Sequence, residues 1–352
     1  MKFIFLVMIM FSASALVKTE QVMKFDGVVW GFDFLDQHSG FVSLRSGELY
    51  HFDLKSKKSK LLVSPKVKAG GQGGLLDLKV VEIKGKTFLY YTYSKEVKDL
   101  WTTAMGRALY KDGKLSAHED LFVADVVSDT SRHFGSRMAF KDQFVYVTIG
   151  DRGERKYAQD LSKHNGSIVR LHLDGTIPKD NPFGKNNQLK SIWSWGHRNP
   201  QGIDFDPVSG ELFSCEFGPR GGDELNHIKK ALNYGWPVIT YGKEYWGPSI
   251  GDTHKKGMEQ PVVHWSPSIS PSGMVFYRGD KVSDWKGNVF LANLGSRHLR
   301  RLVLSQEQGN FKVTKQESLL SSLKERIRHV ANGKDGHLYI STDSGKIIKV
   351  FK

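Results

Sequence analysis

Residues 41–54 read FVSLRSGELYHFDL, two short runs in which apolar and polar side chains alternate on either side of Ser46-Gly47. A period of two places successive side chains on opposite faces of an extended chain, and a Ser-Gly pair between two such runs suits a tight hairpin. The C-terminal LYISTDSGKIIKVF, residues 338–351, repeats the plan around Ser344-Gly345. Comparable units stand at MAFKDQFVYVTIGD (138–151), SIVRLHLDG (167–175), IDFDPVSGELFSCEFG (203–218) and GNVFLANLGSRHLRRLVL (287–304). Helical periodicity is nearly absent, so the fold class is all-β. Hairpins that recur from end to end indicate the blades of a β-propeller, and about 330 residues at roughly 50 per blade make six. A pair of β-sandwiches is the competing architecture, but no Pro/Gly/Ser-rich linker divides the chain. One propeller domain over residues 25–352 is expected.

Ahead of it, MKFIFLVMIMFSASALVK combines one early lysine, an apolar run from Phe3 to Phe11 and small residues at Ser12, Ala13, Ser14 and Ala15. That is the outline of a secretory signal peptide over residues 1–16, too short to span a bilayer, and it predicts a periplasmic or secreted protein with no membrane span. Cys215 is the single cysteine of the 352 residues, so no internal disulfide forms and stability rests on the core. The formal net charge of +14 permits an anionic ligand, an acidic surface or nucleic acid. The basic residues are scattered, as in KSKKSK and IRHVANGK, and form no recognition helix, so nucleic acid is not expected as a partner.

Polar clusters fall at strand ends, where propellers gather loops around the central channel: GGQGGLLDL around Gln72, SRHFGSR around His133, TIGDRGER around Asp151, WGHRNPQG around Arg198, EFGPRGGDE around Gly218 and RIRHV around Arg326 and Arg328. Each has an ordinary reading when taken singly. Gln72 among glycines reads as a tight turn, and Asp151 between Gly150 and Gly153 as a turn aspartate. His133 is a satisfied loop histidine or a base. Arg326 and Arg328, two apart on a strand, share one face, which is a solvated edge or a binding edge. Their joint occurrence at strand ends of several blades favours a common site, although no His-Glu-x-x-His, phosphate loop or nucleophile elbow is present.

In this order the clusters resemble the soluble PQQ-dependent sugar dehydrogenases, in particular the aldose sugar dehydrogenase branch. The resemblance runs from about Gly27 to the C-terminus, and its most specific pieces are DGTIPKDNPF (174–183), WGHRNPQG (195–202), FGPRGGDE (217–224) and NYGWP (233–237). It implies a six-bladed propeller holding pyrroloquinoline quinone (PQQ), a flat orthoquinone with three carboxylates, beside a Ca²⁺ ion. By this resemblance Arg326 and Arg328 pair with the carboxylates, and Arg198 and Asn199 sit over the quinone oxygens with Gln201 nearby. The carbonyls of Gly218 and Pro219 are expected to ligate Ca²⁺, a hard cation suited to oxygen ligands. His133 matches the general base that deprotonates the C1 hydroxyl of an aldose, Asp151 its orienting partner, and Gln72 a residue positioning the histidine or the substrate. Trp265 in HWSPSISPSG matches an aromatic wall over the substrate. The product implied is the lactone, with electrons passed to an unidentified acceptor by a monomeric protein.

One departure stands out. Where the family carries a cofactor-contacting lysine after its LANL-like strand, this chain reads Leu294-Gly295-Ser296-Arg297. Arg297 is the candidate replacement, reaching in from two residues later. The alternative is a catalytically weakened propeller that binds a sugar, glycan or protein partner at the same face. A Ca²⁺-dependent lactonase is a further alternative, for which the sequence supplies no carboxylate and Asn ligand cluster.

Overall fold

The computed structural model describes residues 16–126 and 128–352. Among them, six antiparallel sheets of four long strands each succeed one another around an axis, which is a six-bladed β-propeller. The innermost strands of blades 1 to 6 are Val29–Phe34, Leu75–Ile83, Met138–Lys141, Pro200–Phe205, Pro271–Phe276 and Ile327–Asn332. The signal-peptide expectation falls on residues 1–15, outside those described, together with Leu16, which is exposed.

Blade 6 corrects the expected domain start at residue 25. Its outermost strand is Lys18–Lys24, paired antiparallel with Lys346–Phe351, so the ring is closed by the N-terminal segment joining the C-terminal hairpin. The physical reason is the edge problem: an open ring leaves an unpaired strand edge, and pairing the two ends removes it.

The core lies between blades. Phe41 packs with Leu49, Leu75 and Tyr91 against blade 2, whereas its neighbour Val42 packs with Phe32 and Tyr339 against blade 6. Alternate residues of one strand thus fill two different interblade layers. Each of the six interfaces has such a layer, including Met105 with Val147 between blades 2 and 3 and Phe290 with Ile340 between blades 5 and 6.

The innermost strands of blades 1, 2, 4, 5 and 6 each carry a register shift near their first residues, at Val29/Gly31, Leu75/Leu78, Pro200/Gly202, Pro271/Gly273 and Ile327/His329. A bulge leaves its extra residue out of the ladder. The carbonyls freed in this way turn to the axis, where one side chain collects them. The fully buried Arg137, just ahead of blade 3, donates from Nε to Gln201 O at 3.0 Å, from Nη1 to Trp30 O at 3.2 Å and Asp77 Oδ1 at 3.1 Å, and from Nη2 to Arg328 O at 3.0 Å and to Ser272 O. All five guanidinium N–H groups are used, on partners from the other five blades. Arg137 closes the axis and forms the floor beneath the polar face.

Candidate active site

The loops on that face carry the left-handed backbone that marks a built site. His133 (φ 55°), Ser136 (φ 72°) and Arg152 (φ 57°) are non-glycine residues in this region, flanked by Gly135 and Gly153. Such conformations are costly and persist where surrounding contacts over-determine them. Here Gln72 Oε1 accepts the His133 backbone N–H at 2.8 Å, and Gly135 N–H donates to Asn199 Oδ1 at 3.1 Å. Gln72 therefore holds the loop of His133 through its backbone.

The imidazole is oriented by Asp151. His133 Nδ1 donates to Asp151 Oδ1 at 2.7 Å, and the same carboxylate accepts Gly153 N–H at 2.8 Å and Trp236 Nε1–H at 2.8 Å. Burial by itself raises a carboxyl pKa, yet the His133 hydrogen bond and charge, Arg198 and the Gly153 N–H together hold Asp151 below its ordinary value. An ionised Asp151 only accepts, so the proton sits on Nδ1. Burial also holds His133 below its ordinary value, against the opposing pull of Asp151 and with help from Arg198 and Arg132. The imidazole is thus neutral at pH 7, with its Nε2 lone pair unengaged by any described residue.

Arg198 stands on the neighbouring wall. Its carbonyl accepts Asp151 N–H at 2.7 Å, and its N–H donates to Glu216 Oε2 at 2.6 Å, while Glu216 Oε1 accepts His197 Nδ1–H at 3.0 Å. The guanidinium lies over the Trp236 ring, with Nη1 donating to Phe217 O at 3.2 Å and Gly218 O at 3.1 Å and Nη2 to Tyr245 Oη at 3.3 Å. The Gly218 carbonyl therefore already faces a cationic group. The Pro219 carbonyl receives no hydrogen bond from any described residue. Gln201 Nε2 donates to Gly135 O at 2.8 Å, which joins the WGHRNPQG loop to that of His133.

Arg326 and Arg328 do share a face, on the blade 6 side. Asp343, just past the strand Leu338–Thr342 and with its N–H on Arg326 O at 3.0 Å, accepts from Arg326 Nε at 2.8 Å and from Arg328 Nε at 2.7 Å and Nη2 at 3.0 Å. Arg328 is buried and lies 4.4 Å over the Trp30 ring, whereas the Arg326 side chain is 47% exposed. Arg328 Nη1 and Arg326 Nη2 have no partner among the described residues. Arg297 lies exposed in the loop after Val289–Asn293, in left-handed conformation (φ 52°), and its side chain touches no described charge. A Cβ at Gly295 would stand 2.6 Å from Ser270 Oγ, so that hydroxyl fills the space a side chain would need.

Trp265 does not join this site. Its ring is 8% exposed in the layer between blades 4 and 5, with Nε1 donating to Gln316 Oε1 at 3.0 Å. It lies on the outer strand Val263–Trp265, remote from the axis, where an apolar ring serves the interblade core. Trp236, Glu216, Asp343 and Tyr245 are the site-forming residues that sequence reasoning passed over. Of these, Trp236 lay within the NYGWP motif and Glu216 opened the EFGPRGGDE cluster already singled out.

A family model described as Glucose / Sorbosone dehydrogenase matches residues 27–349. The chain is 37% identical to the aldose sugar dehydrogenase YliI of Escherichia coli (strain K12), over 97% of this chain and 94% of that one. It superposes on the crystal structure of the soluble aldose sugar dehydrogenase from Escherichia coli in the apo-form with a TM-score of 0.89, 35% identity and coverage of 95% and 99% of the two chains. It also resembles the PQQ-bound form of aldose sugar dehydrogenase from Streptomyces coelicolor, with a TM-score of 0.79 and 25% identity over 96% and 98% of the chains. Among the described residues no helix is long and apolar enough to cross a membrane.

Proposed function

The chain belongs to the glucose/sorbosone dehydrogenase family, and on that premise we propose that it oxidises aldose sugars at C1 to the lactone, using PQQ and Ca²⁺. The observation that carries this reading is the His133–Asp151 pair at 2.7 Å, with a neutral imidazole whose Nε2 is unengaged by any described residue, next to the wall of Arg198.

The donor set fits a planar tricarboxylate. Arg326 and Arg328 share one neutralising carboxylate, Asp343, Arg198 adds a third guanidinium beside the ionised Asp151, and the two Nη groups on blade 6 without a partner among the described residues are suited to bidentate or bridging carboxylate contacts. Asn199 and Gln201 add amide donors. The Gly218 and Pro219 carbonyls fit a hard cation: the first already points at a guanidinium, and a carbonyl has a second lone pair to share. When bound, PQQ with Ca²⁺ supplies the two-electron acceptor for the hydride leaving C1.

This chain's own residues then divide the remaining work. His133 Nε2 takes the C1 hydroxyl proton, and Asp151 holds the ring in the tautomer that leaves Nε2 basic and stabilises the imidazolium that forms. Gln72 and Asn199 fix the His133 loop from either side. Arg198 offers fixed positive charge where negative charge grows in the transition state, at no reorganisation cost because Phe217, Gly218 and Trp236 already hold it. Arg297, exposed and with no ion-pair partner among the described residues, is a candidate outer contact to the cofactor. We further infer export by the N-terminal segment, a monomeric state and transfer of electrons to an external acceptor. Reconstituting the purified protein with PQQ and Ca²⁺, and following dye reduction across a panel of aldoses, tests the reading.

A further inference from the structure

Residues 229–262 form a long excursion between the third and fourth strands of blade 4, Asp223–Ile228 and Val263–Trp265. Its tip carries two adjacent aromatic side chains that the core does not use: Tyr245 is 68% exposed and Trp246 is 80% exposed. All other tryptophans of the chain are buried or half-buried, so Trp246 is an exception that packing does not explain. Tyr245 Oη accepts from Arg198 Nη2 at 3.3 Å, which puts its phenol at the rim of the reaction centre. Trp246 comes next along the turn and makes no hydrogen bond or ring contact with a described residue.

The turn holding them is tied down. Glu244 N–H donates to Pro248 O at 2.8 Å, Gly247 N–H to Glu244 O at 3.0 Å, and Lys243 pairs with Ser249 in an isolated bridge. Arg155 Nη1 binds Glu244 Oε1 at 2.6 Å, and Arg220 donates from its backbone to Lys243 O and from Nη1 to Tyr245 O at 3.3 Å. The turn is thereby anchored to the loop of Gly218 and to the segment after Asp151. A fixed backbone presenting two exposed rings keeps the ordering cost of binding small.

We propose that Tyr245 and Trp246 form an aromatic subsite for an extended aldose: Tyr245 lines the ring whose C1 reacts, and Trp246 receives the next sugar unit of a di- or oligosaccharide. The apolar C–H faces of a pyranose match such rings, while its hydroxyls meet Arg198 and Arg220. This subsite, and not Trp265, supplies the aromatic wall. The inference rests on the sugar-oxidising reading above, so its test has an arm that does not.

In that arm, protein without PQQ is titrated with maltotriose while tryptophan fluorescence is followed. A saturable change that disappears in Trp246→Ala, with unchanged near-ultraviolet circular dichroism from the remaining tryptophans, is the expected result. No saturable change in either protein overturns the subsite whether or not the enzyme turns over. In the second arm, Trp246→Ala should lower kcat/KM for maltose roughly fivefold or more while glucose stays within about twofold. Tyr245→Ala should lower both sugars alike, and Tyr245→Phe should restore most of the loss. Equal effects of Trp246→Ala on glucose and maltose, or an effect confined to the KM of the electron acceptor, contradict the proposal and assign the rings to acceptor docking.

Discussion

Arg137 Nη1 meets Asp77 Oδ1 at 3.1 Å on the propeller axis, and this is the only carboxylate among the five acceptors that surround the guanidinium. The other four are backbone carbonyls at or beside strand bulges. A single side chain thus ties the five other innermost strands together at the depth where the functional loops depart.

Replacing Arg137 by methionine should therefore destabilise the whole propeller. It strands Asp77 and four inward carbonyls in a dry environment, and removal of one partner of a buried ion pair costs about 3–5 kcal/mol. Guanidinium denaturation should show a lower midpoint with a similar slope. A midpoint within experimental error of the wild type would mean that water replaces the guanidinium without penalty.

Cofactor affinity should divide unequally between the two blade 6 arginines. Arg328 has a side-chain exposure of 7%, where charge is poorly screened, whereas Arg326 is at 47%. Arg328→Ala should weaken PQQ binding by about 1.5–3 kcal/mol, and Arg326→Ala by no more than about 1 kcal/mol. Equilibrium titration of PQQ against each variant checks the order, and the reverse order contradicts it.

Binding of PQQ should also require Ca²⁺, because Gly218 and Pro219 would contact the quinone through the metal. Titration in excess chelator should show little binding, with recovery on adding Ca²⁺. Equal affinity in both conditions would remove these carbonyls from the site.

Asp151 favours the protonated form of His133, against the larger effect of burial. The base form exists above the pKa of His133, which burial holds below the ordinary value, so kcat/KM should fall as pH drops through that lowered value. In Asp151→Asn the favourable carboxylate is lost and the acid limb should shift to still lower pH, with a reduced plateau. A shift toward higher pH would contradict the assignment.

Much of this was legible from residue order because hairpins at Ser46-Gly47 and Ser344-Gly345 announce themselves by turn chemistry. The blade 2 hairpin, Lys86–Val97 with Leu100–Lys111, was not among the units recognised. Tyr90 faces one interblade core and Tyr91 another, so both faces are apolar and the period of two fades. The pairing of Asp343 with Arg326 and Arg328 depends on hairpin register, with Ile327 opposite Thr342, which no motif reports. Arg137 sat inside a cluster read as functional, yet its acceptors are carbonyls at bulges in four other blades and the Asp77 carboxylate in the fifth. Trp265 failed for a related reason: its neighbour Ser266 accepts Gly222 N–H at 2.9 Å in the loop after Gly218, but the Trp265 side chain itself lies in the packing between blades.

The central claim is that His133 is the base that takes the sugar proton, and His133→Gln in rapid mixing tests it most directly. The variant should still bind PQQ and Ca²⁺, and a dye should reoxidise its chemically reduced cofactor at nearly the wild-type rate. Reduction of the bound cofactor by sugar should slow by about a hundredfold to ten-thousandfold. Reduction by sugar at the wild-type rate would contradict the account and take His133 out of the mechanism.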